Sequence, residues 1–510
     1  MASAISRTHG ITSSRGLFRT KSLDHILRDG EAPDRQLRRS LGAFDVVMLG
    51  IGAIVGAGIF ATIGTAAAGD ASRPGAGPAL ILSFVVTGIA CGFAALCYAE
   101  FAAMVPISGS AYTYAYATLG ELVAWIIGWD LIIEYAVGNV AVAISWGNYF
   151  KTLVSGFGLV IPDWLSTDYR TAAHIPGLFA TAPHIFGIPI VFNILAFGII
   201  ALITTVLVVG IRESATMNSA MVVLKLIVLA LFVAVGLGYV HVENMRPFAP
   251  NGWAGVQAGA AIVFFAYIGF DAVSTVAEET RNPARDLPIG IIGSLIICTI
   301  IYIVVAAVFT GIIPYGVLVR RLATEQAEPL TMALQYANIE KWGNLIVAIV
   351  AFGSVVAHTA VLLVFQLGQP RIFFSMARDG LLPPSFARVH PRFRTPHVTT
   401  ILTGVAVGFF AMFTSIDEMV DLTNIGTLFA FVLVSLGVIV LRRREPDRRR
   451  PFRTPWVPLV PVLGILSCVY LMFGLPWVTW LRFALWLVVG LTVYFLYGRR
   501  RSRLNEGQAA

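Results

Sequence analysis

The chain has 510 residues, 57% hydrophobic and only 13% charged, with a mean hydropathy of +0.79. Soluble domains carry about a quarter charged residues, so this composition excludes a water-soluble enzyme of that length. The charge is lopsided, 36 Lys+Arg against 28 Asp+Glu for a formal +8. In so apolar a chain that excess orients a protein in a bilayer rather than gathering nucleic acid.

Residues 1–41 are polar and Arg-rich, lack the apolar stretch of a signal peptide, and read as a cytoplasmic tail. Twelve apolar segments follow, at 42–68, 77–104, 112–150, 187–210, 214–240, 254–279, 287–313, 342–369, 396–415, 418–441, 457–475 and 477–497. Each is long enough to cross a hydrocarbon core of roughly 30 Å. Segment 3 is too long for one perpendicular helix and is expected to tilt or to begin as a cytoplasmic extension. Residues 498–510 form a second polar tail. The expected fold class is an all-α polytopic membrane protein with 12 transmembrane helices.

The basic residues test that count. With both termini cytoplasmic, 27 of the 36 lie in the tails and even-numbered connections. Eight lie outside: Arg73, Lys151, Arg170, Arg246, Arg320, Arg321, Lys341 and Arg482. The positive-inside rule selects this topology and predicts an inner (plasma) membrane protein with both ends inside. One basic residue, Lys225, remains within a segment. Cys91, Cys97, Cys298 and Cys468 all fall in segments and read as small buried hydrophobes.

Two segments carry internal weak points. Segment 1 contains GIGAIVGAGIF (residues 50–60), and segment 6 contains FFAYIGFDAVST (264–275) with Gly269 and Asp271 in mid-stretch. Close packing through small residues explains the first on its own. Interruptions at matching places five segments apart are also the signature of an inverted repeat. A broken membrane helix frees N–H and C=O groups that need partners away from lipid. A zwitterion can supply them, its carboxylate at the positive N-terminus of a half-helix and its ammonium on carbonyls.

These stretches, with EFAAMVPISGSAY (100–112), GWDLIIEY (128–135), the full FFAYIGFDAVSTVAEETRNPARDLPIGI (264–291), GQPRIFFSMARDGLLP (368–383) and NIGTLFAFVLVSLGVIVLR (424–442), resemble the amino acid–polyamine–organocation (APC) superfamily, in particular bacterial relatives of the cationic amino acid transporters. The resemblance spans about residues 40–497. Pro370 departs from it and, at the cytoplasmic end of segment 8, is expected to sharpen the helix stop. The resemblance implies the leucine-transporter fold, with repeats at 42–240 and 241–441 and two further segments within 442–497. It implies that Ala57, Gly58 and Ile59, beside Gly56, bind a substrate carboxylate. Ile54, Val55, Phe265, Ala266 and Ile268 would face the ammonium, with Phe265 or Tyr267 as an aromatic gate. It also implies a short external helix within 315–340 over the outer vestibule.

Ionisable residues in a bilayer cost several kcal/mol and point to function. Lys225 lies 11 residues into segment 5, about 16 Å at 1.5 Å per residue, and reads either as a permanently charged packing residue or as a titrating one. The resemblance makes it the proton-coupling group, next to carbonyls of the segment 1 break and the Thr359 hydroxyl. Glu134, with Asp130 one turn away, reads as a counter-charge, a proton site or a hydrogen-bonded carboxyl. His358 reads as a neutral packing residue or a second proton candidate. Glu100, Glu278, Glu279, Arg281, Arg285 and Asp286 read as an inner gate of ion pairs or as interfacial anchors.

No HExxH, CxxC or P-loop occurs, so neither an enzyme nor an ATP-driven pump is expected, and no cofactor. The expected function is secondary active, proton-coupled uptake of an L-amino acid, cationic or small neutral. Exchange without net proton coupling is the alternative within that class; channel and sensor roles lie outside it. Beyond substrate, proton and lipid, a small membrane partner subunit leaves no mark in the sequence, and nucleic acid is not expected.

Overall fold

The computed structural model describes residues 17–21, 39–105, 110–210, 215–324, 328–339, 342–393 and 395–506. Most of the expected N-terminal tail, Arg212, Lys341 and Arg394 of the charge count, and residues 106–109 of the EFAAMVPISGSAY stretch lie outside them. Apart from a two-residue hairpin pairing His184–Ile185 with Ile188–Pro189, the described structure is helical. Eight helices are long and apolar enough to cross a membrane, and nine if the bent pair Ala43–Ile54 and Gly58–Ala68 is one span. Three shorter apolar helices, Ile194–Val209, His397–Phe413 and Leu459–Met472, coincide with segments 4, 9 and 11. The chain is an all-α polytopic membrane protein.

The segments sort into two groups by packing. Segments 1, 2, 6 and 7 pack on one another, as do segments 3, 4, 8 and 9, and segment 5 (Ala215–Gly236) touches both through segments 1 and 8. Segment 6 is the most enclosed, with 89% of its apolar window buried in protein, whereas segment 12 has 22% buried and presents Trp477, Leu481, Leu485, Val488 and Val489 outward. Such an apolar exterior suits lipid, since no water competes for it there.

Segment 3 begins with a separate helix, Ser110–Thr118. The chain then turns at Gly120, whose φ of +100° favours glycine, and Glu121–Ser155 continues as one long helix. At Gly120 a Cβ would lie 2.6 Å from the Phe18 backbone, and Glu121 N–H donates to Arg19 O (2.8 Å). Residues 17–21 are thereby held on the turn. Glu121, fully buried, accepts from Tyr494 (2.9 Å) and Ser502 (2.5 Å), so both ends of the described chain meet at one end of the molecule.

Pro370 does not stop segment 8. The helix runs Gly343–Arg378 with Pro370 inside it, so Arg371 and Arg378, expected in a connection, are helical. A buried proline removes one N–H but is tolerated where neighbouring helices satisfy the freed carbonyl. The connection between segments 7 and 8, expected outside, holds two short helices, Tyr315–Thr324 and Pro329–Tyr336, rather than one.

Candidate functional site

The interruptions of segments 1 and 6 meet at the centre. Segment 1 is helical over Ala43–Ile54, extended at Val55 (φ −77°, ψ 103°), and resumes as a π-turn at Gly58–Thr62. Segment 6 is helical over Gly252–Val263, narrows to 3-10 at Phe264–Tyr267, is extended at Ile268 and turns at Gly269. Two glycines permit the crossing. A Cβ on Gly58 would lie 2.1 Å from Ala266 Cα, and one on Gly269, at φ +124°, would lie 2.8 Å from the Ala53 backbone. Gly58 thus serves close packing, whatever else its N–H does. The first N–H groups of a resumed half-helix lack an intrahelical acceptor, and Ala57 and Gly58 occupy that position, whereas Ile59 N–H donates to Gly56 O (3.2 Å). Ile54, Val55, Ile59, Phe265, Ala266 and Ile268 are all buried here.

Other segments supply partners for the carbonyls freed by the first break. Lys225, fully buried, donates from Nζ to Gly52 O (2.6 Å) and Val55 O (2.8 Å). Among the described residues no carboxylate pairs with it, so two carbonyl dipoles hold the ammonium. Tyr302 of segment 7 donates to Ile54 O (3.0 Å), and Tyr149 of segment 3 donates to Phe60 O (2.7 Å). On the other break, Asn424 of segment 10 donates to Ala261 O (2.8 Å) and Ile262 O (3.2 Å). Sequence reasoning missed Tyr302, Tyr149 and Asn424. The one available signal was a hydroxyl or amide alone in an otherwise aliphatic helix face, as Tyr302 is in IICTIIYIVVAAV.

Thr359 is not brought to Lys225. Its hydroxyl donates to Val355 O (2.7 Å) and accepts from Trp146 Nε1 (2.9 Å). The face of segment 8 that meets the first break carries Val361 instead, whose Cγ2 would lie 2.6 Å from a Cβ on Gly56. His358 is satisfied on both ring nitrogens, by Ser145 Oγ (2.8 Å) and by Ser354 O (2.6 Å). A carbonyl only accepts, so Nδ1 carries the proton and Nε2 is free to accept, the pattern of a neutral packing ring. Tyr267 is anchored by its hydroxyl to Phe84 O (2.8 Å) of segment 2, whereas Phe265 is held at the break by packing alone, 5% exposed.

Glu134 sits in a π-turn, Ile133–Val137, and faces Asp271 of segment 6. Glu134 Oε2 and both oxygens of Asp271 and Asp130 are buried without hydrogen-bond partners among the described residues, as are the surrounding hydroxyls of Tyr98, Tyr114 and Tyr135. Among the described residues no basic side chain enters this group of acids, and it holds the largest share of their buried unsatisfied polar atoms, which marks it as a candidate functional site.

Ion pairs sit at the two ends. At the end expected to face the cytoplasm Glu100 takes Arg442 in a fork (2.9 and 2.8 Å), pairs with Arg450 (3.2 Å) and accepts from Thr454 N–H (2.8 Å). Glu100, expected in an inner gate or as an interfacial anchor, thus ties segment 2 to segment 10 rather than to Arg281 or Arg285. Glu279 contributes only its carbonyl, which accepts from Ser40 and Leu41 N–H (2.9 and 3.0 Å), while Arg281 N–H donates to Leu41 O (2.8 Å). At the opposite end Arg73, 8% exposed, lies between Asp70 (2.7 Å) and Asp421 (2.8 Å). Burial pushes the Asp70 carboxyl up, but Arg73 and Ser72 outweigh it and hold it below its ordinary value.

Residues 41–495 match the family described as amino acid permease. The chain is 47% identical to the branched-chain amino acid permease BcaP of Bacillus subtilis (96% of this chain, 99% of the relative). It is 44% identical to the methylthioribose transporter of the same organism, with the same coverage, and 30% identical to human cationic amino acid transporter 4 (93% and 89%). This is a family of transporters, not enzymes. The protein belongs to the amino acid permease family of the APC superfamily.

Proposed function

We propose that this protein is a proton-coupled symporter that takes up a neutral L-amino acid by alternating access. The carrying observation is Lys225, whose ammonium bridges Gly52 O and Val55 O in the break of segment 1 with no carboxylate among the described residues to hold its charge. When protonated it fastens segment 5 to that break; when the proton leaves, the two carbonyls lose their donor and the break is released. The interface it fastens lies between the two packing groups, where motion of one against the other exposes the site alternately.

The finer architecture belongs to the same proposal. Eight or nine long helices and three shorter ones coincide with twelve segments, and the parallel packing of 1, 2, 6, 7 and of 3, 4, 8, 9 supports two repeats of five. The Arg-rich connections support both termini lying in the cytoplasm of a cell whose plasma membrane holds the protein. The substrate carboxylate lies on the N–H groups of Ala57 and Gly58, and the ammonium on carbonyls of Phe265, Ala266 and Ile268. Ile54, Val55 and Ile268 favour an apolar side chain, as does the similarity to a branched-chain permease. Glu134 facing Asp271 favours a second reading, a cationic side chain. The methylthioribose transporter, nearly as similar, belongs in any ligand screen.

Purified protein in liposomes tests the coupling. Leucine accumulation driven by an inside-alkaline pH gradient is expected, and Lys225→Ala is expected to lose it while retaining counterflow exchange. Gradient-driven accumulation by Lys225→Ala refutes the role of the lysine. Exchange without accumulation in the unaltered protein favours an exchanger. A thermal-shift screen of leucine, alanine, arginine and methylthioribose sorts the substrates, since a ligand that binds the folded state raises Tm.

A further inference from the structure

The external helix Pro329–Tyr336 lies against segments 7 and 8 and on the π-turn of segment 1. Its underside is closely fitted: Leu330, Met332, Ala333 and Leu334 are at most 1% exposed, and a Cβ on Gly64 would meet Pro329 Cγ at 2.6 Å. Directly before it, in the connection outside the membrane-spanning segments, stands Glu328. Its side chain does not cap its own helix. It is 6% exposed, Oε2 has no hydrogen-bond partner among the described residues, and Asn148 and Tyr149 of segment 3 face it.

The direction of the neighbouring hydrogen bond decides which form of Glu328 fits. Tyr149 has a single hydroxyl proton, committed to Phe60 O at 2.7 Å. Its oxygen therefore offers lone pairs to Glu328. Lone pairs repel a carboxylate and accept from a carboxylic acid. Among the described residues no charged side chain faces Glu328. The outer parts of segments 1 and 7 carry no charged side chain, and the only ionisable group on the facing part of segment 8 is His358, whose ring lies 5.5 Å from that of Tyr149. On segment 3, Lys151 is paired with Asp163 (2.5 Å). On the preceding external helix, Arg321 stacks over Tyr336 at 5.8 Å.

We propose that Glu328 is a second proton-binding site, on the outer lid, and that the lid formed by Pro329–Tyr336 seats on the segment 1 break when Glu328 is protonated. Protonated, it donates to Tyr149, which donates to Phe60 O, so one line of hydrogen bonds runs from the lid to the break. Ionised, it must leave its pocket for water, and the lid lifts. The assignment stands whether or not Lys225 carries the coupled proton.

Burial pushes the seated carboxyl up to about 8 from an ordinary value of 4.5. Between those two values seating takes up a proton. The seated population therefore falls as pH rises across that window, by up to tenfold per pH unit, and is level above it.

Cysteine labelling from outside reads the lid directly. The four native cysteines are buried. Ala333→Cys places a thiol on the hidden underside, and Gly316→Cys, with nothing within 4 Å, reports the intrinsic reactivity of an external thiol at each pH. The ratio of their rates with an impermeant maleimide is expected to rise at least tenfold from pH 5 to 8 and then level off. In a Glu328→Gln background, which keeps the neutral shape, the ratio is expected to stay low throughout. A ratio independent of pH in the Glu328 protein overturns the proposal, as does the same rise with glutamine present. The first comparison needs no change at Glu328, so a poorly folding Glu328→Gln leaves the test intact.

Discussion

In the break of segment 1 the freed carbonyls are reached by long side chains from three other segments: Lys225 on Gly52 and Val55, Tyr302 on Ile54, Tyr149 on Phe60. In the break of segment 6 one amide, Asn424, serves the helix end, and the far side carries Asp271, whose carboxyl oxygens have no hydrogen-bond partner among the described residues. Both breaks satisfy the demand that backbone polar groups find partners away from lipid. They do so with opposite chemistry. The first is held by donors and includes a cation; the second ends in an acid that faces another acid. A cation that lets go frees carbonyls, whereas an acid that ionises beside another repels it, so a proton tightens either break by a different route.

That contrast can be broken by substitution. The largest effect is expected from Gly58→Val, which drives a side chain into the Ala266 backbone and prises the two breaks apart. Uptake should fall to background while the protein is still recovered from membranes; normal uptake would show that the breaks need not touch. Gly269→Ala combines a positive φ with contact on Ala53 and should cost about 1–3 kcal/mol, seen as a lower Tm with reduced but measurable uptake. Asn424→Ala strands two carbonyls and should cost about 1–2 kcal/mol. Tyr302→Phe strands one, where Lys225 still braces the neighbouring turn, and should cost roughly 1 kcal/mol or less. A larger loss from Tyr302→Phe than from Asn424→Ala would reverse the account of which break is better supported. The smallest effect is expected from Glu134→Gln, which removes an acid from an acid pair. Leucine uptake should change little, because the amide keeps the neutral shape and removes the repulsion between the two acids, and its abolition would place the pair in proton movement instead.

Much of this was legible without coordinates. The glycines of GIGAIVGAGIF and the Gly-Phe-Asp of segment 6 marked both interruptions, because a break in an apolar run needs residues that helices otherwise avoid. Lys225 declared itself as a charge at mid-depth. Other features were hidden for identifiable reasons. The turn at Gly120 sits in AYTYAYATLGELVAW, apolar on both sides, so hydropathy runs straight through it. Pro370 looked like a stop because a proline's cost depends on neighbours that only the packed structure supplies. Thr359 follows His358 by one residue, and a 100° helical step sends it to Trp146 rather than to the break. Glu134 meets Asp271, and Glu100 meets Arg442, across separations that periodicity does not register.

The hydrogen bonds of Lys225 also impose an order on how the protein is made. Gly52 and Val55 precede it by 173 and 170 residues. At synthesis rates of about 5–20 residues per second, segment 1 waits roughly 10–30 s for the donor that completes it. Tyr302 arrives later still, 248 residues after Ile54. Until then the interrupted helix holds bare carbonyls that lipid does not solvate. A nascent chain that meets this condition must keep its first segment beside water or the insertion machinery, and release it to the bilayer only after the fifth has emerged.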